Sequence, residues 1–249
     1  ALMTRITEHL SLQERNVNGH TLAHNLDGVQ VLDDAVIRPL SNPVSANGAL
    51  AVLRGNLAPE GAVMKASAAS GKFFQHRGRA LVFDDPAQMN TACADPALDV
   101  DENTVLVLRN AGPVGAPGMP EWGGLPIPKK LLAQGVRDMV RISDARMSGT
   151  HYGSCILHVS PEAAVGGPLA LVRTGDEIEV DVAARRLHLH VGDEELARRR
   201  TDWQAPALAP ERGYVRLYRQ HVTQAHEGCD FDFLQGLTKF EVTPEPVIY

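Results

Sequence analysis

Two stretches gather most of the side chains that could do chemistry. Residues 141–163 read RISDARMSGTHYGSCILHVSPEA, and residues 111–130 read AGPVGAPGMPEWGGLPIPKK. In the first, Ser148, Gly149 and Thr150 form a small-residue turn with Asp144 and His151 close by in sequence. A serine hydroxyl is a weak base and a weak nucleophile at its ordinary pKa, so chemistry at Ser148 requires a bound metal or a tuned neighbour. The other reading is a polar turn whose hydroxyls bond its own backbone. A hydrolytic triad has little support, because triads are built from distant segments and neither GxSxG nor GxxxxGK[ST] occurs.

In the second stretch Pro and Gly leave the backbone little choice of path, and Glu121 is the only acid. A carboxylate on such a fixed loop suits a hard cation such as Mg²⁺, which takes oxygen ligands in near-octahedral positions. The competing reading is an exposed loop glutamate with no role. His188 and His190 share one face of an alternating run, as two metal ligands could, but with no third ligand in reach they read as a surface pair. Cys93, Cys155 and Cys229 stand far apart without a CxxC pair, which argues against a disulfide framework and for small buried side chains in a reducing compartment.

The elements that must position these loops are mostly strands. GAVMKAS, GRALVFD, NTVLVLRN, GSCILHVS, LALVRTG, EIEVDVA and RRLHLHV are short β-branched or alternating runs separated by Gly, Pro, Asp or Asn. VRDMVRI predicts another strand, leading into the Ser148 turn. So many strands at close spacing favour a barrel or a sandwich. DEIEVDVAARRLHLHV predicts a hairpin with Ile178, Val180, Val182, Leu187, Leu189 and Val191 on its buried face. Short helices are expected in IPKKLLAQGV, in SPEAAVGG with Ser160 as N-cap and Pro161 at the first helical position, and in GDEELARRR with Asp193 as cap. In that last helix Glu194 faces Arg198 and Glu195 faces Arg199, a solvated charge run. AHEGCDFDFL alternates acids with Phe231 and Phe233 and reads as a half-buried strand.

The first ten residues, ALMTRITEHL, have helical spacing, and from Asn16 to about Ala51 the chain is punctuated by Asn, Gly and Pro. A boundary in the forties follows, dividing residues 1–45, a helical stretch and a connecting region, from residues 46–249, where the strands gather. The 249 residues are 44% hydrophobic and 22% charged, as in a folded globular chain. A net charge of -6 offers no field for nucleic acid, and no window approaches the roughly 20 apolar residues of a membrane span. Without a signal pattern at the amino end, the expected location is cytoplasmic.

GPVGAPGMPE, SDARMSGT and HVSPEAAVGGPLALVRTGD, in this order and spacing, resemble the carboxyl-terminal part of the dihydroxy-acid and sugar-acid dehydratases. NLAPEGAVMKASAAS, HRGRALVFDD, DPALDVDENTVLVLRN and EGCDFDF agree, so the resemblance covers nearly all of the chain. SDARMSGT followed by Tyr152 and Gly153 is similar to the aldonate branch, such as the arabinonate and xylonate dehydratases, whereas the branched-chain dihydroxy-acid enzymes read DGRFSGG there. His151 stands where the aldonate branch often has a small residue. The resemblance implies an α+β fold that is mainly β, an eight-stranded swivelling β-barrel with flanking helices, preceded by a short helical remnant of an upstream α/β domain. It implies a hydro-lyase that turns a sugar acid into a 2-keto-3-deoxy acid, with Mg²⁺ and a [2Fe–2S] cluster. By position in the motifs, Glu121 corresponds to a Mg²⁺ ligand, Ser148 to the catalytic base and Thr150 to its neighbour. The cluster ligands and most metal ligands are expected in an amino-terminal domain that this sequence does not contain, so the chain is expected to be inactive alone. Its expected partners are that domain, a small-molecule sugar acid and further copies in a homo-oligomer. The alternatives are a dihydroxy-acid dehydratase of branched-chain amino-acid synthesis, a non-catalytic barrel module and an aconitase-like small subunit.

Overall fold

A computed structural model describes residues 1–147, 152–207 and 212–234. The chain divides into two units, Ala1–Gly48 and Ala49–Tyr249. The first is a run of turns. Its opening residues form two 3₁₀ turns, Leu2–Arg5 and Thr7–His9, in place of the single helix the spacing predicts. A five-residue helix, α1 (Leu22–Leu26), follows, capped by the Thr21 side chain, which accepts from the His24 N–H. None of these elements buries a residue, so there is no apolar face to hold a longer helix together.

The second unit is mainly β, with four α-helices among its described residues. Eight strands, β1 (Ala51–Leu53), β2 (Gly61–Met64), β3 (Gln75–Phe83), β4 (Val105–Leu108), β5 (Arg141–Ser143), β6 (Cys155–Ser160), β7 (Glu177–Asp181) and β8 (Arg186–Leu189), form one sheet in the order β1-β2-β6-β5-β4-β3-β7-β8. The middle run β6-β5-β4-β3 is parallel and the outer pairs are antiparallel. The two edges meet. Arg54 bridges Arg186, with its N–H on the Arg185 carbonyl at 2.9 Å and its own carbonyl accepting from the Leu187 N–H at 2.8 Å. The Asn56 carboxamide then pairs with Leu189 as a peptide would, accepting from its N–H at 2.7 Å and donating to its carbonyl at 2.8 Å. These bonds satisfy edge groups that would otherwise be open to pairing with another chain.

β4 reads VLVL and is buried throughout, as a parallel strand covered on both faces must be. α2 (Pro86–Ala94) turns Met89 and Cys93 inward, and α3 (Lys129–Ala133) turns Leu131 inward. Asp85 caps α2 through the Gln88 N–H, and Pro86 takes the first helical position, where no N–H is needed. β7 and β8 form the expected hairpin, with Ile178, Val180, Leu187 and Leu189 buried, while Val182 and Val191 lie just past the strand ends and are only half-buried against the core.

Several local expectations are corrected. LALVRTG is not a strand: Pro168–Leu171 is a 3₁₀ turn, because Gly167 and Pro168 open it and Leu169 and Leu171 pack inward from a tight turn. The eighth strand is instead β1, whose three residues carry too short an alternation to stand out. Ser160 is the last residue of β6, and the turn that follows, Ala163–Val165, begins after Glu162 with no side-chain cap, so Ser160 is not the expected N-cap. α4 (Asp193–Asp202) starts after Gly192, with Asp193 inside the helix. Its charges are only partly solvated: Glu195 takes both Arg198 and Arg199, and the nearly buried Arg199 also holds Asp176 at 2.9 Å. AHEGCDFDFL forms two 3₁₀ turns, Ala225–Glu227 and Asp232–Leu234, after α5 (Tyr214–His221), and only Phe231 keeps a strand-like bridge, to Val222.

Candidate active site

The three parallel strands β4, β5 and β6 send their carboxyl ends in one direction, and the loops leaving two of them carry the residues singled out by sequence. The 109–128 loop leaves β4; the 144–154 crossover leaves β5 and returns as β6. Open parallel sheets place their binding loops at such ends because each crossover must begin there.

Glu121 lies on the first loop with its side chain 51% exposed, and its carboxylate accepts from the Arg146 guanidinium at 3.0 Å. Arg146 also donates to the Met119 carbonyl, and its own carbonyl accepts from the Gly123 N–H at 2.8 Å. A Cβ on Gly123 would sit 2.6 Å from that carbonyl oxygen, so only glycine lets the two backbones come this close. The Glu121 loop is thus bonded to the crossover two residues ahead of position 148. Ser148 and Thr150, with His151, lie outside the described residues.

Two buried carboxylates fix the roots of these loops. Asp144, fully buried, accepts from the backbone N–H groups of Ala111 and Ala163, both at 2.9 Å, and of Asn110 at 3.2 Å. Glu162, also buried, accepts from Val114 at 2.8 Å and Gly115 at 2.9 Å and from the Gln224 side chain at 2.8 Å. Burial pushes the Asp144 carboxyl up to about 7 against the pull of the Ala163 and Ala111 donors, with Glu162 adding repulsion. Sequence reasoning placed Asp144 near the turn as a possible partner of Ser148; its oxygens are instead spent on backbone donors.

One residue near the site escaped the sequence reading. Between Val63↔Leu157 and Gly61↔Ser160 the register of β2 and β6 shifts, and His158 is the extra residue, with φ 54°. A bulge of this kind turns a side chain off the alternation of its strand. Its N–H donates to the Ala145 carbonyl at 3.1 Å, and burial, with the nearby Arg146 charge, holds the imidazole below its ordinary pKa. The one hint was a histidine inside the apolar run CILHVS.

As for metals, Glu121 fits one oxygen ligand of a hard cation, since an exposed carboxylate held by a single guanidinium can exchange that partner. Among the described residues no group of three His, Cys, Asp or Glu could hold a metal ion. The thiols do not fit an iron–sulfur cluster. Cys93 lies in α2, Cys155 opens β6 and Cys229 follows the Ala225–Glu227 turn, and no group of three such ligands forms among the described residues; burial raises all three thiols above their ordinary range. His188 and His190 pack edge to face at 4.8 Å, and His190 bonds Glu179 at 2.7 Å, a carboxylate already shared by Arg77 and Arg186.

Residues 35–229 match the family described as dihydroxy-acid/6-phosphogluconate dehydratase C-terminal. The chain belongs to this dehydratase family. It is 58% identical to a 6-deoxy-6-sulfo-D-gluconate dehydratase of Pseudomonas putida, over 100% of this chain and 43% of that protein. It is 54% identical to an L-arabonate dehydratase of Azospirillum brasilense, over 91% of this chain and 40% of that protein. A dihydroxy-acid dehydratase of Clostridium novyi is 43% identical, over 86% and 38%. The chain therefore spans about two fifths of the length of the curated dehydratases it matches. No described helix is long and apolar enough to cross a membrane.

Proposed function

We propose that the chain is the carboxyl-terminal part of a cytoplasmic, Mg²⁺- and [2Fe–2S]-dependent dehydratase that converts a sugar acid, an aldonate, to its 2-keto-3-deoxy acid. In this reading residues 1–45 close the amino-terminal domain, which carries the cluster, and 46–249 form the barrel domain of a homo-oligomer. The observation that carries it is the bonding of the Glu121 loop to the Ser148 crossover, through the Arg146–Glu121 ion pair and the Gly123–Arg146 backbone bond. The aldonate is favoured over a branched dihydroxy acid by identities of 58% and 54% to two sugar-acid dehydratases against 43% to a dihydroxy-acid dehydratase.

Dehydration requires a proton to leave C2 and a hydroxide to leave C3, after which the enol becomes the ketone. Ser148 is the base that takes the C2 proton, Thr150 is its neighbour in the family motif, and Glu121 would contribute one carboxylate to Mg²⁺. When bound, Mg²⁺ supplies Lewis acidity to the substrate carboxylate and 2-hydroxyl. Arg146, now on Glu121, is the cation placed to orient that carboxylate.

The test is turnover of L-arabinonate and other aldonates, with 2,3-dihydroxyisovalerate as the competing substrate, by the full-length enzyme and by S148A. Loss of a general base should lower kcat on the order of 10²-fold or more. S148A turning over at the parental rate would overturn the assignment, and so would a preference for the dihydroxy acid. Separately, the 249-residue chain alone should dehydrate no aldonate.

A further inference from the structure

The carboxyl-terminal segment from Arg219 to His226 is fastened to the root of the Glu121 loop, and the central fastening is a buried carboxylate. Glu162, 1% exposed, lies two residues past β6. Its Oε1 accepts from the Val114 N–H at 2.8 Å and its Oε2 from the Gly115 N–H at 2.9 Å. Gln224 meets it twice: Nε2 donates to Glu162 Oε1 at 2.8 Å, and Oε1 accepts from the Glu162 N–H at 2.9 Å. On either side of this pair, Arg219 Nε donates to the Val114 carbonyl at 3.0 Å, and His226 Nδ1 hydrogen-bonds Ser160 Oγ at 2.7 Å. Val114 is therefore held through both its N–H and its carbonyl.

The loop is shaped around that carboxylate. A Cβ on Gly112 would lie 2.7 Å from Glu162 Oε2, so a side chain there would displace it. From Gly112 onward, bonds lead to Glu121: the Ala116 N–H donates to the Gly112 carbonyl and the Met119 N–H to the Ala116 carbonyl, both at 2.8 Å. Arg146 then takes the Met119 carbonyl and the Glu121 carboxylate together. Pro113, Pro117 and Pro120 fix φ along the same path, which leaves little slack between Val114 and Glu121. An apolar contact would join the two segments without the desolvation that a buried carboxylate requires. The charge adds direction, by drawing three donors to two oxygens.

We propose that Glu162 and Gln224 are positioning residues of the dehydratase: through them the carboxyl-terminal segment sets where the Glu121 carboxylate stands for Mg²⁺. This rests on the functional reading above, in which Glu121 is a metal ligand. Both residues act through the loop and are not themselves ligands.

The experiment measures Mg²⁺ binding by isothermal titration calorimetry in the full-length, cluster-loaded enzyme, for the parent, E162Q, Q224A and E121Q. E162Q sets an NH2 against the Val114 or the Gly115 N–H, because an amide offers one oxygen where the carboxylate offers two. Q224A removes both bonds to Glu162 and leaves the loop its own two. Groups that orient a metal ligand from outside change affinity about 10- to 100-fold, so the Mg²⁺ Kd should rise roughly 10-fold in E162Q and about 3-fold or more in Q224A. Hydrogen exchange on the same proteins should speed up at both 112–118 and 119–123 while β4 is unchanged. Parental Mg²⁺ affinity in the folded variants would overturn the proposal, as would faster exchange confined to 112–118, since the clamp would then stop short of Glu121. A lowered melting temperature with parental Mg²⁺ affinity indicates a purely structural pair and likewise overturns it. If E162Q does not fold, Q224A, at a half-buried position, decides by the same two readouts. E121Q separates the two levels. With E121Q weakened and the other two variants parental, the clamp fails and the functional reading stands, whereas parental affinity in E121Q removes the metal role of Glu121 and the clamp built on it.

Discussion

Asp144 offers a quantitative check on how the loops are rooted. Its carboxyl moves from 3.8 to about 7 on burial, so the folded state holds the proton more firmly than the unfolded chain does. A group raised in this way contributes its full stability below the unfolded value and loses it as pH rises through the folded one. A gap of about 3 pH units at 1.36 kcal/mol each means about 4 kcal/mol lost between roughly pH 4 and pH 7. D144N removes the titration but puts the two N–H hydrogens of an amide where the neutral acid has one rotatable O–H, facing the same backbone donors, at a pH-independent cost of about 1–3 kcal/mol. The variant should therefore be less stable than the parent at pH 4.5, with the difference shrinking and then reversing toward pH 8. Urea unfolding followed by circular dichroism at half-unit steps reads this directly. His158, whose pKa is lowered, has the opposite sign, but it is present in both proteins and cancels. Parallel stability curves for the two proteins from pH 4.5 to 8 would refute the reasoning, since the three backbone donors would then hold the charge as well as water does.

Two further outcomes concern the barrel. G55A should lower stability by about 2–3 kcal/mol in the same unfolding assay, as overpacking does, because the added Cβ would sit 2.0 Å from the Leu187 carbonyl oxygen where β1 meets β8. A shift under half a kcal/mol would mean the closure yields easily. The thiols of Cys93 and Cys155 should resist a disulfide reagent at pH 8 in the native state, since burial raises both to about 11. Reaction within minutes at either position, read by mass spectrometry of peptides, would contradict that environment.

The amino-acid sequence by itself determined the strand content, the β7–β8 hairpin and the family. Alternation is a local signal: Ile178, Val180, Leu187 and Leu189 mark one face wherever the hairpin sits. It also marked Glu121 and the 148–151 turn as the stretches worth examining, because a lone acid among Pro and Gly and a cluster of small hydroxyl residues stand out on composition alone. LALVRTG misled for the same reason, since apolar runs of that length suit a strand and a buried 3₁₀ turn equally. Only the tertiary structure decided which β-edges close on each other, which residue supplies the bulge in β6, and what the acids near the turn do. Asp144 was legible only as an acid close to the Ser148 turn, and it is a buried anchor for Asn110, Ala111 and Ala163. Gln224 drew no notice at all. Its partner, Glu162, lies 62 positions away along the chain, and no periodic pattern links them. A hydrogen bond across such a gap depends on where the end of β6 places the Glu162 carboxylate in three dimensions, and that placement comes from the packing of the whole sheet.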